Sequence, residues 1–142
     1  MRAWKFGDDI NTDVITPGRY TVTTDKKRLG EIAFIEYRPE FGKNIKQGDI
    51  IVAGYNFGCG SSREHAVWVF EVNQINVVIA ESFARIFRQN MFNCGMLAIE
   101  LAPNDIDALF SLGENTVAHI DIEHNLITAE NTLGKSLSFS FS

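Results

Sequence analysis

The residues whose types and spacing can do chemistry stand in one run, Asn-Phe-Gly-Cys-Gly-Ser-Ser-Arg-Glu-His-Ala at residues 56–66. The run follows an apolar stretch typical of a strand and leads into an apolar stretch typical of a helix. The first turn of a helix exposes unpaired backbone N–H groups, which attract anions. The planar guanidinium of Arg63 would suit that anion site to a carboxylate, which it can hold with two hydrogen bonds. The run therefore predicts a carboxylate site; the alternative is a turn in which Ser62 only caps a helix.

The two cysteines of the chain, Cys59 and Cys94, are too few for a disulfide framework and lack metal-site spacing. Cys59 lies inside the run, where a helix N-terminus can lower the pKa of a thiol and make it a nucleophile. No His/Asn or His/Asp pair recommends itself as its partner, however. We therefore interpret Cys59 as a packing residue beside the site, and Cys94 as a small buried hydrophobe.

Length and composition predict a single domain, residues 1–142, with its own core. The net charge of −5 argues against a nucleic acid as the main partner. No apolar run approaches the roughly 20 residues of a membrane-spanning helix, and the first residues lack the apolar core of a signal peptide. We expect a cytoplasmic protein with no membrane association. The eleven phenylalanines predict a phenylalanine-rich core or a buried interface.

The elements that must position the run alternate between strands and helices. Apolar stretches at 49–53, 77–80 and 96–101 are typical of strands, and residues 62–72 of a buried helix. Ser82 is typical of an N-cap for a helix that reaches about Phe92 and ends at Gly95. Residues 32–37 fit a short strand or a helix equally well. This alternation predicts an α/β fold.

The C-terminal part predicts a short helix and then a hairpin. Asn104 is typical of the N-cap of a helix that ends near Gly113. Residues 117–122 and 137–141 alternate between apolar and polar side chains, as strands do. His119 and His124 fall in this tail, where we expect them to be solvated.

Several long motifs, in order along nearly the whole chain, resemble one family. They are Gly-Asp-Asp-Ile-Asn-Thr-Asp at 7–13 with Ile15 and Pro17-Gly18, Gly-Asp-Ile-Ile-Val-Ala-Gly at 48–54, the run at 56–66, and Ile-Ala-Glu-Ser-Phe-Ala-Arg-Ile-Phe at 79–87. Together they resemble the small subunits of the aconitase-type isomerases, notably those of 3-isopropylmalate dehydratase and its homoaconitase relatives. Motifs of this length are far more specific than a single glycine loop.

This resemblance implies a swivelling β/β/α domain, like the mobile C-terminal domain of aconitase. It also implies a separate large subunit that carries a [4Fe-4S] cluster, in a heterodimer or heterotetramer. Two cysteines fall short of the three or four thiolates that usually hold such a cluster. We therefore expect that this chain binds no cofactor or metal itself, and that it is inactive without its partner.

The resemblance also implies roles for single residues. Ser61 would be the base that, as an alkoxide, removes the proton next to a substrate carboxylate, while Ser62 and Arg63 hold a carboxylate. Thr12 and Asp13 match a Thr-Asp pair near the cleft, where the aspartate would orient a histidine of the partner chain; alternatively, it caps a turn. The neighbouring charged residues are expected to be structural or surface-paired: Glu64, His65, Arg85 and Arg88.

The loop after Gly18 is where this family varies with its substrate. Tricarboxylate enzymes place an arginine at about the position of Val22, whereas isopropylmalate enzymes tend to have an apolar residue there. Val22 and Thr23 are therefore expected to contact the variable part of a dicarboxylic hydroxy acid. The resemblance predicts isomerisation of 2-isopropylmalate and 3-isopropylmalate by dehydration and rehydration, in leucine synthesis. Arg19 keeps a homoaconitase-type substrate open, and Thr21 a smaller methylmalate or dimethylmalate.

Two hypotheses of other classes remain. One is a free-standing carboxylate-binding module on the same domain, and the other is a nucleic-acid-binding relative, which the acidic balance disfavours. A cluster-bearing partner that copurifies with the chain would favour the enzyme subunit over the free-standing module.

Overall fold

A computed structural model describes residues 3–15, 34, 41, 48–60, 67, 70, 74–113 and 116–141, with only the backbone given for Asp13 and Val14. In these residues, helices are interspersed with the strands of a parallel sheet up to residue 111 and only strands follow, so the α/β prediction is confirmed. The elements are β1 (Ala3–Lys5), α1 (Thr12–Ile15), β2 (Ile50–Val52), β3 (Val77–Ala80), α2 (Arg85–Asn93), β4 (Leu97–Glu100), α3 (Pro103–Ser111), β5 (Val117–Asp121), β6 (Leu126–Glu130) and β7 (Ser136–Ser140).

A parallel sheet with the order β1-β2-β3-β4 forms the centre of the described structure. Its side chains alternate between two cores, because successive residues of a strand point to opposite faces. Ile51 and Val78 belong to one core, while Ile50 and Ile79 belong to the other. Both faces are covered, as parallel sheets require.

A cluster of phenylalanines forms the first core, which confirms the prediction of a phenylalanine-rich interior. The ring centroids of Phe6 and Phe34 lie 4.3 Å apart, and Phe34 contacts Phe41 edge-on at 4.9 Å. The rings of Phe57 and Phe87 continue this network at 5.5 Å. The network reaches from β1 to the buried face of α2, and it also underlies residues 56–60. Residues 56–60, which lead into the Ser-Ser-Arg motif, therefore pack on this core.

The second core joins the other face of the parallel sheet to α3 and to an antiparallel sheet of the order β5-β6-β7. Lys5 ties β1 to the end of α3 by donating hydrogen bonds to the carbonyls of Leu109, at 2.6 Å, and Gly113. A cation at this position also complements the negative end of the helix dipole. The order of sheet, sheet and helix layers agrees with the β/β/α prediction; the swivelling of the domain stays a prediction.

Most predicted elements are confirmed, but the predicted starts of two helices are wrong. Both predicted N-caps fail: α2 begins after Ala84 rather than at Ser82, and α3 begins at Pro103, which places Asn104 inside the helix. Proline is favoured at the first helical position because its missing N–H needs no partner there. The predicted ends hold, since Gly95 and Gly113 have φ of +74° and +84°.

The tail is a three-stranded sheet rather than the single hairpin that we predicted. The strands predicted at 117–122 and 137–141 do not pair with each other; each pairs with β6, which lies between them. In β6, Ile127 and Ala129 point into the second core. Residues 32–37, except Phe34, lie outside the described residues, as does most of the helix predicted at 62–72, of which Val67 and Phe70 are helical. No described helix is long and apolar enough to span a membrane.

Candidate active site

The loop at residues 53–60 connects β2 to the Ser-Ser-Arg motif, and it alternates between ordinary and left-handed backbone. Asn56, Gly58 and Gly60 have φ of +61°, +82° and +98°. Glycine adopts this region without steric cost, and asparagine is among the residues that tolerate it best. The glycines predicted to allow a tight turn are therefore required by the backbone.

The segment after β1 holds this loop from one side. The amide of Tyr55 donates to Asp8 Oδ1 at 2.8 Å, and the amide of Asp9 donates to the carbonyl of Tyr55 at 2.8 Å. Further along, the amide of Gly58 donates to Ile10 O at 2.7 Å. These bonds satisfy the loop's backbone without a regular sheet, as buried backbone groups require.

Thr12 extends the contact between the segment after β1 and the loop to residues 59 and 60, where the described part of the loop ends. Its amide donates to the carbonyl of Cys59 at 2.8 Å. Its side chain is 2% exposed, and its hydroxyl lies 3.6 Å from where a Cβ on Gly60 would stand. The structure thus places Thr12 beside the loop that leads into Ser61, and it describes nothing of the side chain of Asp13. The role of this pair in the cleft stays a prediction.

The segment before α2 holds the loop from the other side. The amide of Phe57 donates to Ser82 O at 3.0 Å, and the amide of Ala84 donates to Phe57 O at 2.9 Å. The hydroxyl of Ser82 accepts a hydrogen bond from the amide of Asn56 at 2.8 Å. Ser82 therefore ties the loop to the start of the helix instead of capping that helix. Sequence reasoning missed this role because the partner lies 26 residues away.

Phe87 is a second supporting residue that sequence reasoning missed. It is 2% exposed, and a Cβ on Gly58 would stand 2.6 Å from Phe87 Cβ and closer still to its ring. The loop therefore lies directly on the helix, with backbone against ring. Phe87 ends the motif at 79–87, which carried the family resemblance but gave no sign of a contact with Gly58.

A groove of about 610 Å³ runs between this loop and the first turns of α2. Its lining includes Gly58, Gly60, Arg85, Ile86 and Gln89. Arg85 is exposed there, while Arg88 pairs with Glu100 at 3.0 Å on the surface, as expected for an exposed pair. Arg85 thus adds a positive charge to the groove beside the loop.

The surroundings of Cys59 do not favour a nucleophilic thiolate. Partial burial, together with the carboxylate of Asp9, raises the pKa of the Cys59 thiol above its usual range. A nucleophilic cysteine reacts as the thiolate, which a raised pKa disfavours. Since the chain has only one other cysteine, Cys94, the residues present do not fit an iron–sulfur cluster.

The other predicted site residues are not placed by the structure. Ser61, Ser62 and Arg63 lie outside the described residues, as do Val22 and Thr23 of the substrate loop. Their roles stay predictions. His119 and His124 are exposed in the antiparallel sheet and its turn, which agrees with the expected solvated position.

Comparisons with known proteins agree with the motifs. A model of the aconitase C-terminal domain family matches residues 7–104. A 3-isopropylmalate dehydratase small subunit from Nautilia profundicola is 44% identical over 98% of this chain and 80% of its own length. A small subunit of the same name from Archaeoglobus fulgidus is 52% identical over 73% of this chain, and the match spans only 65% of that relative.

A solved structure extends the likeness to the fold. The crystal structure of 3-isopropylmalate dehydratase from Methanocaldococcus jannaschii matches 99% of this chain and 79% of its own, with a TM-score of 0.85 and 39% identity. The resemblance predicted from the motifs is thereby confirmed. By sequence and by fold, this chain belongs to the aconitase C-terminal domain family, and within that family it is similar to small subunits of 3-isopropylmalate dehydratase.

Proposed function

We propose that this chain is the small subunit of a 3-isopropylmalate dehydratase, a hydro-lyase that interconverts 2-isopropylmalate and 3-isopropylmalate in leucine synthesis. The observation that carries the proposal is the 44% identity to a small subunit of that name over 98% of this chain. The loop at 53–60 supports it, because bonds from two sides hold the segment that leads directly into the Ser-Ser-Arg motif.

The chain supplies the groups that bind the substrate and move its proton. The Ser61 alkoxide takes the proton from the carbon next to a carboxylate, and the proton ends on its oxygen. Ser62 and Arg63 hold that carboxylate, Arg63 through its planar fork. Serine is a weak base in water, so its ionised form depends on donors fixed in advance around the oxygen. The anchoring of residues 56–60 provides a rigid base for such an arrangement.

The loop around Val22 and Thr23 selects the substrate. An apolar side chain at position 22 accommodates the branched alkyl group of isopropylmalate. Each methylene buried there stabilises the bound substrate by about 1 kcal/mol. A third carboxylate placed there would be buried without a partner, at a cost of several kcal/mol.

The remaining chemistry belongs to a partner. In this proposal a large subunit carries a [4Fe-4S] cluster and the two chains form a cytoplasmic heterodimer or heterotetramer, which is inactive when either chain is missing. The carboxylate of Asp13 orients a histidine of that partner. The two cysteines of this chain are fewer than the three or four thiolates that usually hold such a cluster.

The direct test is coexpression with candidate large subunits, followed by purification through a tag on this chain. The complex is assayed on 2-isopropylmalate, dimethylmalate, homoaconitate and citrate. We expect the highest kcat/KM for isopropylmalate and none for this chain alone. Faster turnover of cis-homoaconitate or citrate would contradict the proposed substrate. A homodimer that binds malates without any partner would contradict the subunit role.

Variants of the motif test the proposed roles in the same complex. Ser61→Ala should lower kcat by about 10²- to 10⁴-fold with little change in KM, the range for loss of a general base. Arg63→Lys keeps the charge but loses the fork, so KM should rise more than kcat falls. Ser138→Ala, on an exposed position of β7, is the matched control and should leave both constants unchanged. A Ser61→Ala complex with normal kcat would rule out Ser61 as the base.

A further inference from the structure

The exposed face of α2 carries an aromatic ring at its centre. Arg85, Gln89 and Phe92 lie along one line of the helix, because side chains three and four positions apart share a face. This line lies opposite Phe87 and Met91, which are buried in the phenylalanine-rich core. Phe92 itself is 76% exposed. Apolar residues that are exposed singly are ordinary, so the neighbours of Phe92 decide whether it has a use.

Two grooves adjoin this line of residues. The groove of about 610 Å³ beside the loop at 53–60 includes Ile86 in its lining, and Ile86 is 55% exposed. A second groove, of about 480 Å³, includes Phe83 and Phe92. Arg85 and Gln89 line both grooves, which therefore meet at these two residues. We call these five residues the α2 surface; exposed apolar side chains grouped around polar ones are typical of a surface that binds another protein.

Arg85 gives the α2 surface a cation without a partner. The surface pairing expected of both arginines of α2 holds only for Arg88, because Arg85 makes no hydrogen bond or ion pair with any described residue. Arg85 is also the first residue of α2, where the positive end of the helix dipole disfavours a cation. A residue that weakens its own helix is expected where a further requirement keeps it there. A carboxylate supplied from outside the chain would meet that requirement.

The α2 surface begins at the same edge of the parallel sheet as the loop that leads into the Ser-Ser-Arg motif. Since β2 and β3 are parallel, the segments that follow them leave the sheet at one edge, and the backbones of Phe57 and Phe83 pair there. Gly60 lines the first groove and is joined directly to Ser61. In the proposed function the large subunit must reach this edge, because its cluster acts on the substrate that residues 61–63 hold.

We propose that the α2 surface is the docking site for the large subunit, with Phe92 packed among apolar side chains of that partner and Arg85 facing one of its carboxylates; this rests on the proposed function, which supplies the partner. Aromatic and arginine side chains are enriched at the centres of protein interfaces. A second copy of this chain that used the same surface would offer Arg85 no carboxylate, since α2 contains no acidic residue. Docking would thus engage the helix whose Phe87 supports the loop at Gly58.

The experiment measures the association of this chain with the large subunit that supports isopropylmalate turnover in the coexpression test. Phe92→Ala should raise Kd at least about tenfold, the effect of losing a central aromatic contact. Arg85→Gln should slow association and weaken its dependence on salt, because an exposed charge at an interface acts mainly on the association rate. Leu133→Ala and Lys135→Gln are the matched controls, in the exposed turn between β6 and β7, and should leave Kd unchanged.

Two further readouts separate docking from catalysis and from folding. Once the complex is saturated with the large subunit, Phe92→Ala should have the wild-type kcat, because the ring acts only in association. The isolated Phe92→Ala chain should keep its Tm, since an exposed side chain contributes little to folding.

Each outcome decides the matter. If the wild-type chain forms an active complex and both variants keep its Kd, this inference alone is overturned. A normal association rate for Arg85→Gln with a raised KM would assign Arg85 to the substrate and overturn its role in docking. An isolated wild-type chain that forms a dimer, which Phe92→Ala dissociates, would show that the surface joins two copies, and the large subunit would be excluded as its occupant. A wild-type chain that binds no large subunit overturns the proposed function together with this inference.

Discussion

The side chain of Phe87 lies where a side chain on Gly58 would have to stand. The two residues are far apart in sequence, but a Cβ on Gly58 would come within 2.6 Å of Phe87 Cβ and closer still to the ring. Gly58 also has a φ of +82°, which disfavours any other residue. Phe87 lies in α2. The loop at residues 53–60, which leads into the proposed active-site motif, thus depends on α2 for its position.

Gly58→Ala should therefore be strongly destabilising. The left-handed backbone costs alanine about 1–2 kcal/mol, and the overlap with Phe87 adds about 1–3 kcal/mol. Gly95→Ala is the matched control, because Gly95 has a similar φ of +74° with no atom within 4 Å of an added Cβ. The difference between the two variants in denaturant unfolding measures the overlap. A double-mutant cycle with Phe87→Ala should recover part of the loss, and equal costs for both glycines would contradict the contact.

Ser82→Ala should destabilise the chain and disturb the site without shortening α2. The change leaves the part-buried amide of Asn56 without its acceptor, at a cost of about 1–3 kcal/mol. Ser111→Ala provides the control, since Ser111 Oγ bonds an exposed carbonyl 2.6 Å away and its loss should cost under about 0.5 kcal/mol. Unfolding free energies and the kcat of the complex give the comparison. If Ser82→Ala were as mild as Ser111→Ala, the tie to Asn56 would be unimportant.

Val22→Arg should shift substrate preference towards tricarboxylates. Arginine can pair with a third carboxylate, whereas it places a charge against the alkyl group of isopropylmalate. We expect kcat/KM for isopropylmalate to fall by at least about tenfold relative to that for homoaconitate, which corresponds to 1.4 kcal/mol. Val22→Leu is the control for a change of size alone. An unchanged ratio in Val22→Arg would mean that this position does not contact the variable substituent.

Cys59 should react slowly with alkylating agents near neutral pH. Only the thiolate reacts, and burial together with Asp9 raises the pKa of Cys59. In a Cys94→Ala background, the iodoacetamide rate should rise about tenfold for each pH unit until the pH passes that raised pKa. The free energy of unfolding should decline over the same alkaline range, because the unfolded thiol ionises at a lower pH than the folded one. Rapid alkylation at pH 7 would contradict this assignment, and so would a large loss of kcat in Cys59→Ala.

The sequence predicted well wherever a local rule governs. The four residues of β3 are apolar and mostly β-branched, and they form the strand that was predicted at 77–80. Gly95 and Gly113 follow the ends of helices, because left-handed backbone at such ends is a local requirement that glycine meets. The family likewise followed from motifs alone, and the comparisons confirm it.

What the sequence could not decide is which distant group each polar atom would meet. The Ser82 hydroxyl has the local chemistry of an N-cap, yet it accepts a hydrogen bond from an amide 26 residues away, while α2 begins only after Ala84. The pairing of β6 between β5 and β7 is likewise decided by the core that Ile127 and Ala129 share with the parallel sheet.

The same division holds for the candidate active site. The residue types of the Ser-Ser-Arg motif determined by themselves that this is a carboxylate-binding candidate, because hydroxyls, glycines and a guanidinium carry that chemistry wherever they fold. Only the tertiary structure decided that Phe87 takes the space beside Gly58 and that Thr12 is buried against Gly60 with its hydroxyl unpaired in the described chain. Those outcomes depend on contacts between segments far apart in sequence, and no local pattern encodes them.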